Sequence, residues 1–314
     1  MRSRKSRRRT RRPSSGSLFL PSRGQIFRFH GATHRRRDCS ESAALRRDSA
    51  GHVARSALST HCERSCLKGI RSLKIFIVGS ARTGTSSLFF ALKTAFDIPG
   101  FGESHVMPLF QRAIYYPKLY YREIIKSNED IMIRSFNFPN YEQMVFEHIR
   151  NFYAATYGGD SWIDKTPTSE AIHGIGFLSQ VFPDARIICT KRNGLEVIRS
   201  QAIKFGAPFH ELCEDWVAAM EGIQNAANSP NLRVIDQADM AARPGEVGNS
   251  LCDWLGVPNK GEGVGAYLAA NRIEATLGLE DAPASLLDVK WSDQQKRQFD
   301  EICGPMMRRF GYGY

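Results

Sequence analysis

No apolar run in this chain approaches the ~18–20 residues that a membrane-spanning helix requires. The stretch Leu18-Phe19-Leu20 is far too short to serve as the h-region of a secretory signal. We therefore expect no membrane span and a cytoplasmic protein. The seven cysteines, Cys39, Cys62, Cys66, Cys189, Cys213, Cys252 and Cys303, are scattered and odd in number, with no Cys-x-x-Cys pair among them. This pattern excludes a disulfide framework and a zinc ribbon, and it fits reduced thiols. His61, Cys62 and Cys66 form one small cluster, too little for a metal site. Internal repeats are also absent.

Acidic residues are nearly missing from the first part of the chain. Residues 1–72 hold 19 Lys/Arg against 4 Asp/Glu, whereas residues 73–314 hold 24 against 28. The whole-chain net charge of +11 thus comes from the N-terminal segment alone. Runs such as Arg7-Arg8-Arg9 and Arg35-Arg36-Arg37 stand among Ser and His with no apolar period. Such a composition cannot bury enough surface to offset the entropy of ordering, so we read residues 1–69 as a disordered basic tail. Three readings of it stay open: an arm for nucleic acid or an anionic surface, an organelle transit peptide, or a segment upstream of the true translation start. The body's balance of −4 provides no basic groove to continue a nucleic-acid track, so nucleic acid is not expected as a partner.

Beyond the tail, short apolar runs alternate with helical periods, which predicts a parallel sheet covered by helices on both faces. Strands are expected at 73–79, 161–164, 186–191 and 231–235. Helices are expected at 85–96, 108–126, 139–157, 168–181, 194–205, 209–227, 243–255 and 292–310. The Gly-rich segment 256–291 reads as irregular, a lid or part of an acceptor site.

One stretch carries most of the functional information. Leu73 to Gly79 is a buried-strand run with β-branched Ile75, Ile77 and Val78; Ser80 to Gly84 is a turn; Thr85-Ser86-Ser87 opens a helix. A strand, a glycine-bearing loop and a helix N-terminus make an anion site, because free backbone N–H groups and the helix dipole point into the loop. Gly79 and Gly84 are spaced as in the nucleotide-binding P-loop. The lysine that should follow is lacking, since Thr85 stands in its place. Arg82 supplies positive charge from inside the loop instead. The loop suits a phosphate-like group rather than the β/γ-phosphates of a nucleoside triphosphate.

A second segment, Phe182 to Ser200, contains a strand followed by Arg192-Asn193-Gly194, with Ser200 eight residues after Arg192. This resembles the 3′-phosphate motif of the sulfotransferases that use 3′-phosphoadenosine 5′-phosphosulfate (PAPS). Arg82-Thr83-Gly84-Thr85-Ser86 is similar to that family's 5′-phosphosulfate loop. Trp162-Ile163-Asp164-Lys165-Thr166-Pro167 is similar to a Glu-Lys-Ser/Thr-Pro segment of its carbohydrate-type members, and Leu255-Gly256-Val257-Pro258 to its Leu-Gly-x-Pro ending. The likeness covers residues 70–314 and leans toward the carbohydrate-type and bacterial branch. It implies an α/β, P-loop-like three-layer fold with a central parallel sheet flanked by helices. It also implies PAPS as co-substrate and a small-molecule or glycan acceptor.

Carried over residue by residue, the resemblance assigns Arg82, Thr83, Gly84, Thr85 and Ser86 to the phosphosulfate and Arg192 and Ser200 to the 3′-phosphate. Sulfuryl transfer rests on alignment and electrostatics, as phosphoryl transfer does, and no metal is implied. Arg82 would offset charge on the bridging oxygen, and Lys165 could reach the leaving phosphate or an acidic acceptor. The acceptor must lose a proton, which calls for a general base. Glu103-Ser104-His105 looks like the Glu-x-His of glycan-type members, with Glu103 as base, its pKa raised in a desolvated cleft, and His105 supporting it. The departures are Ser87 in place of the Trp found in cytosolic members, Gly194 in place of Pro, and Val106-Met107-Pro108 after His105. Alternative readings are a P-loop kinase or NTPase, disfavoured by the missing lysine, and a catalytically idle family member.

Overall fold

The computed structural model describes residues 72–124, 132–271 and 285–314. The basic tail expected over 1–69 lies outside the described residues, as does 272–284 of the Gly-rich segment. Among the described residues, β1 (Lys74–Gly79), β2 (Gly100–Phe101), β3 (Trp162–Thr166), β4 (Arg186–Lys191) and β5 (Leu232–Asp236) form one sheet in the order β2-β3-β1-β4-β5. Every pairing is parallel, with Gly79 beside Thr190 and Val78 beside Thr166.

A parallel sheet is buried on both faces, and β1 shows why its sequence is apolar throughout. Ile75 and Ile77 pack into one layer, against α1 (Thr85–Phe96), α9 (Pro244–Leu255) and α10 (Gly261–Ala270), through Leu88, Leu92, Leu251 and Val264. Phe76 and Val78 pack into the other, with Phe146 and Tyr153 of α3 (Phe138–Tyr157), Ile172 of α4 (Ser169–His173) and Leu178 of α5 (Ile175–Val181). Ile198 of α6 (Gly194–Phe205), Trp216 of α7 (Phe209–Ala226) and Phe299 of α11 (Asp293–Arg309) complete that layer. The three-layer α/β fold follows, and β1 lies at its centre. No helix of the described residues is long and apolar enough to cross a membrane.

Three differences from the sequence reading have physical causes. The helix expected over 168–181 breaks into α4 and α5 at Gly174, where a Cβ would lie 2.9 Å from Gln111 Oε1 of α2 (Val106–Ile124). The close approach of α2 thus falls at the break. The segment 256–291, expected to be irregular, contains α10. A Cβ on Gly248 would meet Gly261 O at 2.5 Å and Gly265 N at 2.6 Å. Those glycines let α9 and α10 touch backbone to backbone; they do not loosen a loop. Finally, β2 and α8 (Gln237–Ala242) were not expected; neither is long enough to show a period.

The chain leaves β1 toward β2 and β3 on one side, and leaves β4 toward β5 on the other. Helices α1 and α6, which follow these two strands, accordingly pack on opposite faces. The divergence opens a crevice beyond the carboxyl ends of β1 and β4, the place where open α/β sheets bind ligands.

Candidate active site

The loop after β1 is fastened to its surroundings at almost every residue. A Cβ on Gly79 would sit 2.4 Å from Thr190 Oγ1, so only glycine fits where β1 meets β4. Thr83 Oγ1 donates to Ser80 O at 2.7 Å and lies 2.6 Å from Thr190 Oγ1. Thr83 is buried, and its hydroxyl is engaged within the fold. From α6, Gln201 Nε2 donates to Ser80 Oγ at 3.2 Å and to Ala81 O at 3.0 Å. Arg192 Nη1 donates to Arg82 O at 3.2 Å. Gly84 caps α1 at φ 94° with no side-chain hydrogen bond, leaving the first-turn N–H groups to face whatever the crevice holds.

Arg82 is held at φ 73°, a left-handed conformation that costs a non-glycine residue about 1–3 kcal/mol and persists only under tertiary restraint. The Arg192 and Gln201 bonds to this loop are that restraint. The conformation turns the guanidinium toward α6, where Nε donates to Ser200 Oγ at 2.9 Å. Burial lowers the Arg82 pKa and the neighbouring Arg192 charge lowers it further, so two guanidiniums share one half-buried crevice. Arg192 is itself buried. It is held by Glu196 through Nε at 2.6 Å, while its carbonyl accepts from Trp216 Nε1 at 3.1 Å. The structure thus brings the loop after β1 and the Arg192–Ser200 segment together at one crevice.

A second cluster lies at the end of β3. Lys165 is buried, and its Nζ donates to Ser86 Oγ at 2.9 Å and lies 3.4 Å from Glu103 Oε1. Glu103 Oε2 is 3.3 Å from His105 Nε2, and both side chains are about half exposed. Ser86 opens α1, so this cluster adjoins the first loop. The expected raised pKa of Glu103 is corrected. Burial does push it up, but the His105 hydrogen bond and the Lys165 charge outweigh burial, and the carboxyl is held below its ordinary value. Burial lowers the Lys165 pKa, with Glu103 opposing. A carboxylate that stays ionised and a partly desolvated ammonium can together bind an anionic group and receive a proton beside it.

Beside Arg192, Lys191 is bonded to Asp236 and to Tyr312 OH, the latter at 2.9 Å. At Gly194 a Cβ would lie 3.0 Å from the Trp216 ring and 3.1 Å from Met307 Sδ, a tight fit at the start of α6. Asn193 caps α6, accepting from Leu195 N at 2.9 Å. Gln201 was not singled out from sequence; its position beside Ser200 on a helix otherwise buried through Leu195, Val197 and Ile198 was the one available hint. Among the described residues no group of three or more His, Cys, Asp or Glu side chains could hold a metal ion.

None of the curated proteins matches the chain. Among solved structures, it is similar to the sulfotransferase domain of the olefin synthase of Synechococcus PCC 7002, at 17% identity, covering 77% of this chain and 95% of that one, with a TM-score of 0.45. It is also similar to sulfotransferase STF9 of Mycobacterium avium, at 14% identity, 80% and 81% coverage and a TM-score of 0.40. Mouse sulfotransferase SULT7A1, solved in complex with PAP, gives 14% identity, 76% and 86% coverage and a TM-score of 0.41. The model of the sulfotransferase family matches residues 74–261, the span from the first residue of β1 to the start of α10. The chain belongs to the sulfotransferase family.

Proposed function

We propose that this sulfotransferase uses PAPS as donor and acts on a hydroxyl or amine of a small-molecule acceptor, with glycans the first class to test. The observation that carries the reading is the contact between Arg82 and Ser200. It joins a phosphosulfate-type loop to a 3′-phosphate-type motif at a crevice where a single ligand with anionic groups at both ends could span them. The residues fit such a ligand: two guanidiniums, a buried ammonium, the Ser86 and Ser200 hydroxyls and a helix N-terminus all converge there.

The donor supplies an activated sulfuryl group, whose bond to the 5′-phosphate oxygen breaks as the acceptor oxygen or nitrogen bonds to sulfur. The α1 N–H groups and Arg82 hold the 5′ end and offset the charge that develops on the bridging oxygen. Arg192 and Ser200 hold the 3′-phosphate. Lys165, tied to Ser86, steadies the sulfuryl oxygens. Glu103, ionised and beside the acceptor, accepts the proton released on attack, and His105 keeps the carboxylate oriented. Domain limits of 70–314 follow from the motifs, with residues 1–69 a dispensable tail. A reducing cytoplasm suits the buried free thiols of Cys189, Cys213, Cys252 and Cys303.

The test is incubation of the full chain with ³⁵S-labelled PAPS and a panel of glycans, phenols and lipid alcohols. Transfer of label to any class supports the reading and names the acceptor. Absence of both transfer and adenosine 3′,5′-bisphosphate binding would remove it.

A further inference from the structure

Asp164 is a buried carboxyl with no part in the chemistry above. It is 2% exposed and neighbours Lys165 on β3, so the two side chains leave opposite faces of the strand. Its Oδ1 accepts from Ser104 Oγ at 2.9 Å and its Oδ2 accepts from Tyr157 OH at 3.0 Å. Ser104 is the residue between Glu103 and His105. Its amide donates to Lys165 O at 3.0 Å, and its hydroxyl also lies 3.1 Å from Thr166 Oγ1. One residue of the candidate base loop is therefore pinned to three consecutive residues of β3.

A buried carboxyl is an expensive way to hold a hydroxyl. Burial raises the Asp164 pKa, and the Ser104 and Tyr157 hydrogen bonds oppose that. Two oxygens that accept only are what the geometry uses: one takes the α3 phenol, the other takes the loop. With Ser104 gripped from one face of β3, Glu103 meets Lys165 from the other. His105 is held at φ 51°, a conformation that needs such external restraint. We propose that Asp164 is the positioning residue of the candidate base, gripping Ser104 and so fixing Glu103 and His105 against Lys165. This rests on the reading of Glu103 as base.

The test uses the full chain with Ser104→Ala, Ser104→Thr and Asp164→Asn, and readouts that need no acceptor. The titration of the Glu103 carboxyl carbon is followed by ¹³C NMR; the groups facing it are His105 from its own loop and Lys165 from β3. Amide exchange is followed across 103–105, and adenosine 3′,5′-bisphosphate affinity by calorimetry. In Ser104→Ala and Asp164→Asn, Glu103 should titrate higher, toward its ordinary range. The residue-104 amide should exchange about tenfold faster, the size of one lost hydrogen bond. Bisphosphate affinity should be unchanged. Ser104→Thr, which restores the hydroxyl, should return both signals toward wild type. Wild-type titration of Glu103 in Ser104→Ala overturns the proposal, as does a parallel loss of bisphosphate affinity, which would mark a merely structural role. If Asp164→Asn does not fold, Ser104→Ala decides alone. A wild-type chain that transfers no sulfate yet shows the coupling would count against the functional reading and leave the Asp164 linkage standing.

Discussion

Arg82 Nε donates to Ser200 Oγ at 2.9 Å, a bond between residues 118 apart in sequence. One belongs to the loop after β1, the other to α6, the helix after β4. Their meeting ties the loop after β1 to α6, and neither can shift without breaking this bond or the Arg192 and Gln201 bonds beside it.

Replacing Arg192 by alanine should weaken adenosine 3′,5′-bisphosphate binding by ~1.5–3 kcal/mol, the range for a charge-assisted hydrogen bond. Adenosine 5′-phosphosulfate, which lacks the 3′-phosphate, should lose distinctly less affinity, through the loss of the Arg192 bond to the Arg82 loop alone. Calorimetry with both ligands checks this, and equal weakening of the two would remove Arg192 from the 3′ site.

Glu103→Gln should leave PAPS affinity intact and lower turnover ~10²–10⁴-fold, the usual yield of general-base catalysis. His105→Ala should cost less, since it acts on orientation. Turnover at saturating PAPS distinguishes them. Near-normal activity in Glu103→Gln with activity lost in His105→Ala would transfer the role to the histidine.

The direction of the Glu103 shift sets a pH dependence. The carboxyl is held below its ordinary value of 4.5, so the base is ionised throughout the neutral range. The acid limb of the rate profile, where it reports this group, should fall below that value. The linked stability has the same sign: it is fully present above the unfolded-state pKa and is lost as pH falls through the lower folded-state pKa. Removing the opposing charge with Lys165→Met should move the acid limb upward. An acid limb that stays put in that variant would contradict the pairing.

Gly194→Ala should destabilise the fold by ~1–3 kcal/mol through overpacking against Trp216 and Met307. Gly194→Pro should be at least as costly despite proline's preference for the first helical turn. Denaturant melts of the two variants measure this. A stabilised proline variant would mean that Trp216 can yield.

Deleting residues 1–68 should leave cooperative melting and bisphosphate binding intact, since every motif begins at Leu73 or later and the family match begins at Lys74. Loss of a cooperative transition in the shortened chain would show that the tail contributes to folding.

Four of the five strands and the glycine-bearing loop after β1 were legible in residue order alone. The central strands β1 and β4 read as apolar runs rich in β-branched residues, and Gly79 through Ser86 carry their conformational demands in residue type: a glycine with no room for Cβ, a glycine at positive φ, a helix start. The spacing of Arg192 and Ser200 was legible because both lie on one strand–turn–helix unit. Elements too short for a period, β2 and α8, were not, and the glycines of α10 misled because close helix contact and loop freedom call for the same residue. The electrostatics, by contrast, depend on contacts between residues far apart in the chain. Whether Glu103 titrates high or low depends on Lys165, 62 residues away, and on Ser104 being held by Asp164. Local sequence carries backbone preference and burial pattern; a side chain's pKa and orientation are set by partners that only the folded chain brings within hydrogen-bonding distance.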